Sequence, residues 1–203
     1  MTTERHIIAI LRGIRGNEVA SICRELVDAG IHWIEIPLNS PDALGSIEVA
    51  AKTVGADAHI GAGTVLRTDQ VAKVAAAGGT FVVSPNTDVA VIKETLRMGL
   101  GSYPGIFSPT EAFQAFFAGA SGLKIFPADV LGPKGIKAMK AVLPREASLY
   151  AVGGVGPENF EAYRNAGCIG FGLGTSLYRP GMDATEVARK ARSAVAAYDT
   201  LSD

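Results

Sequence analysis

Two charged side chains stand inside otherwise apolar runs: Lys124 in Gly122-Leu-Lys-Ile-Phe-Pro127 and Glu35 in Trp33-Ile-Glu-Ile-Pro37. A lone ammonium or carboxylate is costly to bury, so each residue calls for a reason. Burial disfavours the charged amine and leaves some of it neutral near pH 7, able to attack a ketone and form a Schiff base. A carboxyl with a raised pKa can pass protons to and from the substrate of such a reaction. The simpler readings are a lysine at a strand end that extends to water, or a Lys–Glu ion pair that closes a core.

Glycines supply a second signal. Gly153-Gly154 and Gly174-Thr175 each follow an apolar run near the end of the chain, where bare backbone N–H groups can take a phosphate; tight turns would use the same glycines. Gly61-Ala-Gly-Thr64 can offer N–H groups and a hydroxyl to a carboxylate, with Arg12 as a bidentate partner, or Arg12 can pair with Glu35.

These residues need a scaffold that gathers them. Ala29-Gly30, Ala77-Gly78, Met98-Gly99, Ala118-Gly119 and Ala166-Gly167, with Gly55 and Pro144 between them, recur roughly every 20–25 residues, the length of one helix and one strand. Seven joints and an opening strand predict eight βα units. The strands are short apolar runs, as parallel strands buried on both faces should be: 7–11, 33–36, 58–62, 81–84, 100–103, 123–126, 149–152 and 169–172. Val19, Ile22, Cys23, Leu26 and Val27 recur at helical spacing, with Gly30 as a left-handed stop. Ser108-Pro109-Thr110-Glu111 has the form of a capping box, Ser40-Pro41 opens another helix similarly, and a last helix runs from Ala184 to Tyr198. The array predicts an α/β fold, an eight-stranded parallel (β/α)8 TIM barrel forming one domain over residues 1–203, with its site among the loops after the strands. An open doubly wound sheet would want a Gly-x-Gly-x-x-Gly turn after the first strand, and none is there.

On that barrel Arg12, Glu35, Asn39, Thr64, Pro85, Lys124, Gly153, Gly154, Gly174 and Thr175 share one mouth. His6, His32 and His59 fall at the opposite end, so neither a histidine-ligated metal nor a histidine base is expected. The chain has 203 residues and a formal net charge of -1 with scattered basic residues, which argues against a nucleic-acid surface or a polybasic membrane anchor and for a small-molecule partner. Cys23 on an apolar helix face and Cys168 just before a strand read as reduced core residues. Met1 to Arg12 holds only a five-residue apolar run, and no later stretch is long enough to span a membrane, so a cytoplasmic protein is expected.

The segments Ile8-Ala-Ile-Leu-Arg-Gly13, Glu35-Ile-Pro-Leu-Asn-Ser-Pro41, Gly61-Ala-Gly-Thr-Val-Leu66, Leu123-Lys-Ile-Phe-Pro127, Gly132-Pro133 with Ile136-Lys-Ala-Met-Lys-Ala-Val-Leu-Pro144, and Ala151-Val-Gly-Gly-Val155 closely resemble the KDPG/KHG aldolase family, in order and over nearly the whole chain. The resemblance implies a class I lyase with Lys124 as Schiff-base lysine and Glu35 as acid/base. It further implies substrate contacts from Arg12, Thr64 and Pro85 and a phosphate site at Gly153, Gly154, Gly174 and Thr175, the last a serine in relatives.

Asn39 stands where the gluconate branch carries arginine and Val152 where it carries threonine, while Arg12 resembles the substrate arginine of the galactonate branch. The resemblance therefore implies 2-dehydro-3-deoxy-6-phosphogalactonate as substrate, a step of galactonate breakdown, with pyruvate and D-glyceraldehyde 3-phosphate as products. It also implies no cofactor and a homotrimer, for which Phe107, Phe113, Phe116 and Phe117 can supply an apolar patch. Asp129-Val130-Leu131 departs from the serine-containing loop of that branch. The alternatives are the same cleavage of the gluconate epimer, an isomerase or epimerase with Glu35 as base and Lys124 polarising a carbonyl, and a phosphosugar-binding sensor.

Overall fold

A computed structural model describes residues 5–201; Met1–Glu4, on which the reading of the chain's start partly rests, and Ser202–Asp203 lie outside the described residues. Strands and helices alternate from β1 (Ile7–Ile10) and α1 (Gly16–Asp28) through β2 (Trp33–Pro37), α2 (Ala43–Val54), β3 (His59–Gly63), α3 (Thr68–Ala76), β4 (Phe81–Val83) and α4 (Val89–Arg97). Then come β5 (Gly101–Tyr103), β6 (Gly105–Ile106), α5 (Pro109–Phe117), β7 (Leu123–Ile125), α6 (Ala128–Lys140), β8 (Leu149–Val152), a 3-10 turn at Pro157–Asn159, α7 (Phe160–Asn165), β9 (Cys168–Leu173) and α8 (Ala184–Asp199).

All strand pairs are parallel, in the order β5-β4-β3-β2-β1-β9-β8-β7-β6, and they curl into a TIM-like barrel. The eight expected strands are nine, because Pro104 divides the fifth. Proline has no N–H for the ladder, so β5 pairs with β4, β6 pairs with β7, and Pro104 joins the two ends. Across this seam Ser102 O accepts from the N–H groups of Ser121 and Gly122, and Pro104 O accepts from Lys124 N at 2.9 Å.

The helix starts divide instructively. Ser108 caps α5 as expected: its hydroxyl accepts from Glu111 N, Glu111 Oε2 accepts from Ser108 N at 2.8 Å, and Pro109 fills the first turn. Ser40-Pro41 does not open α2, which starts at Ala43. The Ser40 hydroxyl instead accepts from Gly13 N at 2.9 Å, tying the loop after β2 to the loop after β1.

The main core lies between the strands and the helices. In α1, Val19, Ile22, Cys23 and Leu26 face it, each such aliphatic side chain contributing about 1.5–3 kcal/mol, and Gly30 at φ +94° ends the helix. Cys23 and Cys168 are both free and buried, Cys168 as the first residue of β9, and burial lifts each thiol to about 12. A second cluster inside the barrel contains Ile8, Phe81, Val83, Tyr103 and Tyr150, with Trp33 against it. No helix among the described residues is long and apolar enough to cross a membrane.

Candidate active site

Inside the barrel the strands present alternating residues in layers. Toward the strand starts stand Trp33 and Phe81, the first residues of β2 and β4, and Tyr150, the second of β8; with Tyr103, which ends β5, they pack edge-on or tilted, with centroids 5.0–5.9 Å apart along the chain of contacts. Glycines on neighbouring strands make the room. A Cβ on Gly61 would stand 2.6 Å from the Phe81 ring, and one on Gly122 would stand 2.7–2.9 Å from Tyr150 and Tyr103. The histidines lie at that end: His6 just before β1, His32 just before β2, and His59 opening β3, its ring tilted 31° to that of Trp33 with centroids 4.3 Å apart.

One layer further, toward the strand ends, lie Glu35 and Lys124. They line one small cavity with Ile8, Ile10, Val83, Tyr103, Tyr150, Val152 and Gly172. Glu35 is 2% exposed and Lys124 6% exposed, so the two charges deduced from apolar runs are buried and share a space. Burial is the main influence on both. It drives the Glu35 carboxyl above its ordinary value, against the pull of Lys124 and Arg12. It drives the Lys124 amine below its ordinary value; Glu35 opposes this and Arg12 adds to it.

Glu35 Oε2 is buried without a hydrogen-bond partner. The two groups are coupled through space, each pulling the other toward its charged form. Gly63 lets the carboxylate sit where it does, since a Cβ there would fall on Glu35 Oε1. The amine lies 4.8 Å from the centroid of the Phe126 ring.

The remaining predicted residues follow strand ends on the same side of the barrel. Arg12, after β1, is exposed and donates to Asn39 Oδ1 at 2.7 Å, so its partner is neither Glu35 nor a cradle glycine. Thr64, after β3, has φ +57°, a left-handed conformation that costs a β-branched residue of order 1 kcal/mol and clusters at functional sites. Pro85, after β4, packs its carbonyl against Gly105 of β6, where a side chain would not fit. Val152 ends β8 against Gly172, whose missing Cβ would stand 2.7 Å from it.

The glycines expected to cradle a phosphate differ among themselves. The Cβ side of Gly153 is taken by Pro127 and Ala128, and that of Gly154 by Asp129, whereas Gly174 has nothing within 4 Å. The turn at Gly174–Thr175 is held by Leu177 N and Tyr178 N donating to Gly174 O at 2.9 Å, and by Arg179 and Lys190 donating to the carbonyls of Thr175 and Ser176.

The sequence reading did not find the Asn39 support of Arg12, the Gly63 socket or the Phe126 ring beside the amine. A glycine two residues beyond another in an apolar strand is the signal that could have marked Gly63, because it implies a close approach.

Comparison with known proteins identifies the family. The family model for KDPG and KHG aldolase matches residues 1–193. A probable 2-dehydro-3-deoxy-6-phosphogalactonate aldolase of Rhizobium meliloti (strain 1021) is 52% identical over 198 residues, covering 98% of this chain and 93% of the relative. The 2-dehydro-3-deoxy-6-phosphogalactonate aldolase of Escherichia coli (strain K12) is 45% identical over 97% of this chain and 96% of its own. A solved structure described as native KDPGal superposes with a TM-score of 0.95 at 45% identity, covering 98% of this chain and 97% of that one. On its sequence, its barrel and its buried lysine and glutamate, the chain belongs to the KDPG and KHG aldolase family.

Proposed function

We propose that this chain is a class I lyase that cleaves 2-dehydro-3-deoxy-6-phosphogalactonate to pyruvate and D-glyceraldehyde 3-phosphate. The observation that carries the chemistry is the buried Lys124 amine sharing a cavity with the buried Glu35 carboxyl. The choice of substrate is supported by the names of the two relatives at 52% and 45% identity.

Neutral Lys124 attacks the C2 ketone, and Glu35, itself or through water, moves protons until the carbinolamine loses water to become an iminium. The O4 proton leaves, the C3–C4 electron pair flows toward the iminium nitrogen, and glyceraldehyde 3-phosphate departs. The enamine then takes a proton at C3, and hydrolysis returns pyruvate and the free amine. Arg12 and Thr64 hold the carboxylate end, Pro85 lines the pocket, and Gly153, Gly154, Gly174 and Thr175 take the phosphate, whose remote binding aligns the reacting carbons. Val152 faces C4, the centre at which the galacto and gluco acids differ, and offers no hydrogen bond there. The protein works as one eight-unit barrel domain in the cytoplasm, as a homotrimer to which Phe117, 76% exposed beside Phe113 and Phe116, contributes.

Borohydride reduction in the presence of pyruvate should add a stable mass to the peptide bearing Lys124, and an unlabelled Lys124 in active enzyme would exclude the imine route. Parallel incubation with both 6-phosphate epimers, followed by pyruvate release, should favour the galacto acid. A preference for the gluco acid would move the chain to the other branch.

A further inference from the structure

Asp129 is placed where an acid is unhelpful to a phosphate site. It is the second residue of α6, its N–H donates to Gly153 O at 3.2 Å, and its Oδ1 accepts from Val130 N at 3.0 Å. The side chain lies over Gly154: a Cβ there would stand 2.5 Å from Asp129 Cβ and 2.7 Å from Oδ2. Gly154, at φ +65°, thus yields its side-chain space to a carboxylate. The turn after the neighbouring strand β9 is open at Gly174, and it carries the cations Arg179 and Lys190 on the carbonyls of Thr175 and Ser176. The two neighbouring turns therefore differ in charge, with Asp129, beside Gly154, supplying the negative one.

We propose that Asp129 is a specificity-determining residue for the phosphate end, its charge weakening the hold on the phosphate of substrate and aldehyde product and hastening release of that product. This rests on the phosphate placement given under Proposed function. An acid in the first turn of a helix also has a local role, as it suits the positive end of the helix and here accepts from Val130. Asn keeps that acceptor and removes the charge, so it separates the two.

The test compares Asp129→Asn and Asp129→Ala with the parent enzyme. Removing the unit charge beside Gly154 should tighten inorganic phosphate, followed by calorimetry, roughly 5- to 10-fold at low salt, with the gain shrinking at high ionic strength. The KM for the phosphorylated substrate should fall by a similar factor, while that for the unphosphorylated sugar acid stays the same.

Unchanged phosphate affinity in Asp129→Asn would overturn the proposal. So would a shift of both substrates together, or an effect confined to Asp129→Ala, since either marks a purely structural role. Proton exchange at pyruvate C3, which involves no phosphate, reports separately on the Schiff-base reading. Its absence in the parent enzyme would sink that reading while the calorimetry still decides the role of Asp129.

Discussion

Near the strand starts, Gly61 and Gly122 yield their side-chain space to Phe81, Tyr103 and Tyr150; one layer further along, Gly63 yields its space to the Glu35 carboxylate. The same strands thus build an aromatic floor and a charged mouth with one device. In the floor the vacated volume is refilled by rings and adds packing. In the mouth it admits a group that is expensive to bury and leaves one of its oxygens without a partner. The floor supplies stability and a dry lower wall, and burial in the mouth holds the Lys124 amine below its ordinary value.

Substitutions that treat the two layers alike should have unlike effects. The largest is expected from Lys124→Met, which keeps the volume and removes the nucleophile: turnover of the sugar acid should fall at least about 10³-fold, with the fold intact by circular dichroism. Retained turnover would move the chemistry out of the mouth.

Next come two single methyl groups. Gly63→Ala should displace Glu35 and lower turnover roughly 100-fold, whereas Gly122→Ala should cost about 1–3 kcal/mol of stability by overpacking Tyr103 and Tyr150 while turnover per folded molecule stays close to that of the parent. Equal kinetic losses would abolish the distinction between the layers.

The smallest effect concerns pH. Because burial raises the Glu35 carboxyl, its contribution to stability is full below the ordinary carboxylate range near pH 4 and is lost as pH rises through the raised folded value. Glu35→Gln cannot ionise, so its melting temperature should gain on the parent from pH 4 to pH 8 by a few degrees, the scale on which about 1 kcal/mol moves a chain of this size. A constant difference across that range would mean that Glu35 titrates normally.

Much of this contrast was legible beforehand. Lys124 and Glu35 stood out as charges in apolar runs, and parallel strands covered on both faces read as such runs, so their order and rough ends were recoverable. The capping box of α5 was legible because it is local chemistry, as was the left-handed stop at Gly30. The features that were not legible depend on partners distant in sequence. Ser40 looked like a cap, yet its hydroxyl is taken by Gly13 N across a strand pair. Gly63 read as part of an anion cradle and Gly122 as the start of an apolar run, and neither reading contains the carboxylate and rings of other strands that take their side-chain space. Pro104 divides a strand that apolar patterning alone would have left whole.

That divided strand has one more effect. Because β5 and β6 are consecutive pieces of the same chain, the ladder runs out and resumes within a single residue, and Ser102 O and Pro104 O meet donors from the segment entering β7 and from β7 itself. Among the described residues the ring thus presents no long unpaired flank at which a neighbouring molecule can add an extended segment. A sheet this rich in apolar residues is thereby shielded from templating aggregates, a hazard that open sheets must counter with edge charges or bulges.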